Sequence, residues 1–586
     1  MVMMVAVIVL CLATLTLSSG ETRSAAVAKQ KIQALFVAEA GVECEIAALK
    51  GLTRKAGLDD PFASIDALLN TTPINAQTLT KDGVSVGQFT VSIAAIETVD
   101  AGTRNVTIRS QGFVPSASAP NRQARTVTAA VRLQLARSGV FDHVYFISNW
   151  GWFYGDTITV RGNVRANGRF DAANYRPTID NVPRYEKIVG ATLQGYIDDG
   201  GIYAGWDVIA DNIEGKAKEK WTQTDADDGR CAQSQVGLYK YQHEYVDQLP
   251  MPNLTDLGLY ESMAKTQNSS IKVGTTTVCG PVLGDDPGEQ QNLFLQGTAA
   301  NPIVLNGLVV VRGGVIISGV VTGQGSIYAG GNIYVPQDLT YNNGPAALPA
   351  TTTESALNAW LADNQSKDSL GLFARENIVV GNYTNGTWRS YVNAWLNDSR
   401  NQSKEDAGLD LIPNTRYGRD GIPGTADDDL LEADGVWTVD RYTQDDADHG
   451  LIPAGKQVGD VIPGSGEDID GDGVYDGTTT LNDFNIPDAL TSTNWAGNVP
   501  SGKTYSQISS TGVSKLDAAF YTNHAIAMYT SSSIDLRGCI VSRNESITYG
   551  SRFNMNYDFR LMDNDQFDPY LPKTWKPIQV LMWTSD

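Results

Sequence analysis

Histidine and cysteine are scarce in this chain of 586 residues, with four copies of one and five of the other. His143, His243, His449 and His524 are scattered without ligand spacing, and no CxxC pair occurs, so no zinc site is expected. Base is scarce as well. Lys and Arg number 44 against 66 Asp and Glu, a formal charge of −22. Such a surface repels nucleic acid and anionic lipid and attracts divalent cations, so no nucleic-acid partner is expected. Catalytic signatures are thin. The one GxSxG, Gly83 to Gly87, follows a polar loop and precedes a strand pattern, whereas a nucleophile elbow needs a strand before it and a helix after it. Acidic pairs are plentiful, but nothing singles out an acid and a nucleophile. The chain is not expected to be an enzyme.

The five cysteines divide by position. Cys11 lies in an apolar run and Cys44 in a helical pattern, where both are read as packing residues. Among Cys231, Cys279 and Cys539, a Cys231–Cys279 disulfide is one open pairing in an oxidising compartment, with the third left over. Hydrophobic residues make up 42 %, enough for substantial cores, and the length corresponds to roughly four domains. Abundant glycine (57) with modest charge (19 %) suits strands and turns better than helical bundles.

The chain is organised around its N-terminal stretch. Met1 to Leu17 is almost wholly apolar, and the first charges are Glu21 and Arg23. Beyond them Ile32, Leu35, Phe36, Val42, Ile46 and Leu49 recur at helical spacing, with Lys29, Lys31, Glu39, Glu43 and Lys50 between. This predicts one long helix over residues 1–52, greasy first and amphipathic afterwards. A secretory signal would need bases before the apolar run, and none precedes Val2. An ordinary membrane anchor needs about 20 apolar residues, slightly more than Met1 to Leu17 supplies. A helix that merely tethers a domain is the plainer alternative.

The run Lys29 to Leu49, with Ala38-Glu39-Ala40-Gly41-Val42 inside it, resembles type IV pilin-like proteins of the PilX and GspK type. The resemblance covers roughly residues 1–50. It implies a helix that waits in the inner membrane and then packs against the helices of other pilin-like subunits in a filament core. The basic prepilin leader is not in this sequence, which reads as a processed chain or a start codon placed too late. Position 5 is Val5, not the glutamate of major pilins. GspK-type tip subunits also lack that glutamate, so the resemblance points towards a minor or tip role.

Downstream, Gly87 to Ile93, Asn105 to Ser110 and Arg125 to Leu133 alternate in polarity and predict an antiparallel β-meander over 53–138. Phe141 to Tyr154 is dense in aromatics, read as a packing plug, with a sugar-stacking platform as the sharper alternative. Glycine-punctuated strands follow at Ile158 to Val164, Leu308 to Val335 and Ile534 to Val541, each with an Arg-Gly turn. They predict an irregular β-solenoid-like region over 139–350, resumed over 524–586, with a sandwich as the alternative. The intervening 351–523 opens with helical spacing at Glu354 to Leu361 and Trp388 to Leu396, then becomes acidic and loop-rich. The expected fold class is therefore α+β, mostly β: a long N-terminal pilin-like helix, an antiparallel β-meander, and a solenoid-like region with a loop-rich calcium-binding insertion.

The sharpest local motif is Asp468-Ile469-Asp470-Gly471-Asp472-Gly473-Val474-Tyr475-Asp476. Asp468, Asp470, Asp472 and Asp476 stand at alternate positions of a tight turn, Gly473 permits the bend, and the Val474 carbonyl supplies a further ligand. Ca²⁺ takes about six to eight hard oxygens, and Thr479 stands where an EF-hand has its last glutamate, so Asp483 or a distant residue must complete the shell. Asp420, Asp427 and Asp429 flank a Pro/Gly turn and form a second candidate Ca²⁺ site. Thr224 to Asp228 is a weaker acidic loop.

These readings lead to a non-catalytic, structural or adhesive subunit of a type IV pilus-like filament, in the inner membrane before assembly and at the cell surface afterwards. Its partners would be sibling subunits and a surface or glycan ligand. A type II secretion pseudopilin tip protein and a membrane-anchored β-solenoid polysaccharide-active enzyme are the alternatives.

Overall fold

The computed structural model describes residues 2–55, 62–70, 76–81, 83–100, 102–255, 257–398, 457–459, 479–486 and 490–586, with the side chains of the first helix described over residues 22–50 and 52–53. They divide into two compact units, Met1–Ala136 with Trp575–Asp586, and Arg137–Thr574. The fold is α+β and mostly β.

The first unit is one helix on one sheet. Helix α1 (Val2–Lys55) contains no proline and runs unbroken. Strands β1 (Gln77–Lys81), β2 (Val84–Asp100), β3 (Thr103–Val114) and β4 (Gln123–Arg137) form an antiparallel meander in chain order. Ile93 pairs with Ile108, and Ile108 with Ala129. Alternate residues Val106, Ile108, Val127, Ala129, Val131 and Leu133 are buried, the period of two that a one-faced sheet requires.

The helix lies on this sheet by an unexpected face. Ala34, Val37, Ala38, Gly41, Val42, Ile46 and Leu49 are buried, whereas Ile32 and Phe36 are 57 % and 61 % exposed. Of the stripe expected on one helical face, Val42, Ile46 and Leu49 are buried and Ile32 and Phe36 are not. The cause is the closeness of the backbones. A Cβ on Gly112 of β3 would stand 2.2 Å from the Ala34 carbonyl oxygen and 2.5 Å from the Ala38 nitrogen. A Cβ on Gly41 of the helix would stand 2.2 Å from Ser110 Oγ and 2.8 Å from Phe89. Two glycines, one on each partner, admit this close approach around Ala34, Ala38 and Gly41, and Ile32 and Phe36 turn outward.

The chain ends in the same unit. Gln579–Ser585 pairs antiparallel with β4, Val580 opposite Val131 and Ser585 opposite Val127. Residues 575–586 were expected among the glycine-punctuated strands, and this too is corrected. Their backbone hydrogen-bonds to the free edge of β4, which no neighbouring meander strand covers. Nearby, Phe62 meets Trp575 edge to face at 5.1 Å, and Arg104 lies over Phe62 while its Nε donates to Asp66 at 3.0 Å.

The second unit is built mainly from parallel strands stacked in three ladders, with antiparallel pairs at residues 184–198 and 270–279. One ladder passes from Val309–Val311 through Ile327–Ala329, Leu372–Ala374, Phe520–Thr522 and Ile540–Ser542. It then continues into residues far earlier in the chain: Tyr145–Ile147, Val164–Ala166 and Ile202–Ala204. A second ladder links Val315–Ile316, Ile333–Val335, Ile378–Val380, Ala525–Tyr529 and Glu545–Tyr549. A third passes from Leu516 to Leu536, Met555, Val160 and Ile179. The spatial order of strands is thus permuted, with residues 145–180 stacked beyond residues 533–557. Interior positions such as Val309, Ile327, Leu372, Ile316, Ile333 and Ile378 are fully buried, the near-continuous apolar runs of parallel strands covered on both faces.

Glycine sets the corners. Gly319 has φ +89°, and a Cβ there would stand 2.0 Å from the Gly297 carbonyl oxygen of the neighbouring strand. Gly538, of the Arg537-Gly538 turn, has φ +138° with the Ala518 oxygen at 1.9 Å from a would-be Cβ. Two helices stand out from the stack where the spacing predicts them. Glu354–Asn364 is capped by Thr353, whose hydroxyl accepts from the Ala356 nitrogen at 3.4 Å. Gly386–Leu396 is capped by Asn385, whose side chain accepts from the Thr387 nitrogen at 2.9 Å. Arg560 is fully buried, donating to the Asn364, Lys367 and Asp368 carbonyls at 3.0, 2.9 and 2.8 Å and to Asp558 Oδ2 at 2.6 Å.

Candidate functional site

The candidate calcium residues Asp468, Asp470, Asp472, Val474, Asp476, Asp420, Asp427 and Asp429 all lie outside the described residues. Asp483, named to complete the shell, is described: its carboxylate accepts from the Thr480 nitrogen at 2.5 Å and the Thr480 hydroxyl at 3.0 Å. The weaker acidic loop has a structural role. Asp225 forms a capping box with Thr222 at the start of the short helix Gln223–Asp227. One acidic group among the described residues converges, Asp285, Asp286 and Glu289. Lys265 pairs with Asp285 at 2.9 Å, and Glu289 accepts from the Gly284 nitrogen at 2.8 Å, so both are answered by the protein itself.

Cys44, Cys231, Cys279 and Cys539 are free thiols, and the open Cys231–Cys279 pairing does not form. Cys279 sits buried at the end of a strand with its Sγ 3.3 Å from the Gly280 oxygen, while Cys231 lies in a half-exposed polar loop. Burial and then Glu289 push the Cys279 thiol up to about 12, which makes it inert.

Two features stand out. The first is the stem of α1. Thr22 to Lys31 is mostly exposed, Ile32 and Phe36 continue that exposed surface, and burial against the sheet begins at Ala34. Among the described residues no helix is long and apolar enough to cross a membrane.

The second feature is a groove of about 370 Å³ in the parallel-strand unit. The aromatic run Trp152 to Tyr154 supplies one wall. Trp152 is held by its indole nitrogen, which donates to the buried Glu545 carboxylate at 3.2 Å. Glu545 also accepts from the Ser546 nitrogen at 2.8 Å. Trp395, on the helix capped by Asn385, meets Trp152 edge to face at a centroid distance of 4.0 Å. That helix buries Trp388, Val392 and Leu396, which leaves Tyr391 and Trp395 together on another face. Tyr391 stacks on Tyr529 at 4.9 Å and lies 5.1 Å from Tyr549.

Tyr154 and Tyr175 stack at 5.4 Å with 26° between their planes, and Tyr154 donates to Asp171 Oδ2 at 3.0 Å. Tyr175 is 39 % exposed. Burial, and then the Glu545 charge, push the Tyr145 phenol well above its ordinary value, so it stays neutral at the groove floor. Thr157, Asp398, Ser546 and Thr548 add hydroxyls and one carboxylate to the lining, which holds no Lys or Arg among the described residues. The aromatic run was legible in the sequence. Tyr175, Trp395, Asp398 and Thr548 were not, because they come from separate segments, and only the glycine-punctuated strand pattern hinted that such segments stack.

No family model matches this chain, and no curated protein matches it. Among solved structures it is similar to the competence-associated pilin ComZ from Thermus thermophilus, at 11 % identity over 95 % of this chain and 97 % of that one, with a TM-score of 0.27. A score this low carries no argument about this chain.

Proposed function

We propose that the chain is a subunit of a type IV pilus-like filament. Helix α1 is the assembly element and the parallel-strand unit is the displayed head. The observation that carries this reading is the stem: a continuous helix exposes Ile32 and Phe36 on a surface that no described residue of its own unit covers, just beyond an apolar N-terminal run. Large apolar side chains left exposed in line mark a surface that a partner buries. A sibling helix of the same pattern supplies such a partner, and Met1 to Leu17 would occupy the inner membrane before assembly. The head would then be read as an irregular β-solenoid at the cell surface, acting by binding and not by catalysis. Its stacked strands, in place of a small α/β head, favour this role over a secretion pseudopilin tip. Among its described lining residues the groove offers one carboxylate, Asp398, and no acid pair, which favours binding over glycan cleavage.

Ile32→Asp and Phe36→Asp test the proposal. Each places a charge on the stem without touching the sheet, so the head should fold unchanged while filaments vanish from surface fractions viewed by electron microscopy. Filaments of wild-type abundance in both variants would overturn it. Ca²⁺ binding at Asp468, Asp470, Asp472, Val474 and Asp476, with a second site at Asp420, Asp427 and Asp429, is proposed from the motifs. A metal that binds only the folded loop stabilises it by mass action. Chelation should therefore lower the melting temperature and raise protease cutting near residues 410–480. Equal cutting with and without chelator would remove the Ca²⁺ proposal.

A further inference from the structure

We propose that the groove walled by Trp152, Tyr154, Tyr175 and Trp395 binds a neutral glycan chain, taking one or a few sugar units into its cavity of about 370 Å³. The proposal does not rest on the filament reading, because every residue it uses lies in the parallel-strand unit. The volume falls within the range of small-ligand pockets, about 300–1,000 Å³.

The chemistry of the lining selects the ligand. A pyranose ring carries C–H bonds on its faces and hydroxyls around its rim. Aromatic faces match the first and short polar side chains match the second. Tyr154 and Tyr175 form a stacked pair, and Tyr175 is partly exposed. The pair is anchored by the Tyr154 hydroxyl on Asp171, and the neighbouring Trp152, 5.3 Å from Tyr154, by its indole on Glu545. These ring positions are therefore set before any ligand arrives, which lowers the ordering cost of binding.

The rim groups are Thr157, Asp398, Ser546 and Thr548. The Thr548 hydroxyl is buried without a hydrogen-bond partner among the described residues. A purely hydrocarbon ligand would cover the polar lining of Thr157, Asp398 and Ser546 with apolar surface, at a desolvation cost. An acidic glycan would meet Asp398 and a chain of formal charge −22 with no cation in the described lining. A neutral, polyhydroxylated chain satisfies every wall.

Native affinity electrophoresis of the full chain tests this, using gels that contain hydroxyethyl cellulose, glucomannan or dextran as neutral probes, alginate as an anionic one and glycol chitosan as a cationic one. At least one neutral polymer should retard the protein, and alginate should not. Tyr175→Ser and Tyr154→Ala should each weaken that retardation about tenfold, the scale of one lost aromatic contact. Tyr175→Phe, which keeps the ring, should retain it. Equal mobility of the variants in polymer-free gels reports that the fold is intact. Failure of all three neutral polymers overturns the proposal, as does retardation by glycol chitosan alone, equal retardation by alginate, or wild-type behaviour of both Tyr175→Ser and Tyr154→Ala.

Discussion

The two units use glycine and burial in opposite ways. In the helix–sheet unit, Gly41 and Gly112 stand at the contact between elements and bring a helix backbone onto a sheet. In the parallel-strand unit, Gly319 and Gly538 stand at corners, where positive φ and the neighbouring strand's oxygen leave no room for a side chain. The first unit has a thin interface filled by alanine and valine. The second has ladders of Ile, Val and Leu, with buried polar groups such as Arg560 and His143 set between them. The difference teaches that glycine frequency alone says little about architecture. What matters is whether the missing Cβ faces another element or the next turn of the same stack.

The comparison breaks most visibly at Arg560. Arg560→Met removes its bonds to three carbonyls and leaves Asp558 buried beside an apolar side chain. Removing one partner of a buried pair costs about 3–5 kcal/mol. Chemical denaturation should show this loss in the transition of the parallel-strand unit, while the helix–sheet unit keeps its protection from hydrogen exchange. Gly112→Ala should act on the other unit. The added methyl meets helix backbone, which cannot move aside as a side-chain tip can, and overpacking of this kind costs about 1–3 kcal/mol. Hydrogen exchange should rise across Ala34 to Leu49 and across β3. If it rises instead in the ladders, the contrast between the two uses of glycine fails.

The smallest effect is a pH dependence confined to the parallel-strand unit. His143 is fully buried, and burial, followed by the Arg184 and Arg165 charges, holds its imidazole well below the ordinary value of 6.5. Below about pH 6.5 the unfolded chain binds a proton at this position that the folded chain refuses, so stability falls with decreasing pH. Above that pH the contribution is complete. His143→Phe should flatten the slope of stability against pH between about 6.5 and 5. An unchanged slope would place the titration elsewhere.

The legible part of the fold was local. The uninterrupted helix, the alternation in β2 to β4 and the helix from Trp388 to Leu396 each repeat within one segment, and a period needs no knowledge of what packs against it. The face of α1 was misread for a definite reason. Periodicity groups Ile32 and Phe36 with Val42, Ile46 and Leu49 on one face, but Gly112 on a strand far along the chain seats the Ala34 and Ala38 side. The groove was half legible. Trp152 and Tyr154 stood in an aromatic run, yet Trp395 arrives from an inserted helix and Thr548 from a strand near the C-terminus.

By itself the sequence determined the stem helix, the strand-and-turn composition, the acidic surface and the motifs of Asp468 to Asp476. Tertiary structure alone decided that residues 145–180 stack beyond residues 533–557, that the last strand returns to β4, and which rings share a groove. The physical reason is that propensity and polarity act between near neighbours. Backbone hydrogen bonding between parallel strands has no sequence period of its own, and which strand sits next is settled only when the whole stack has closed.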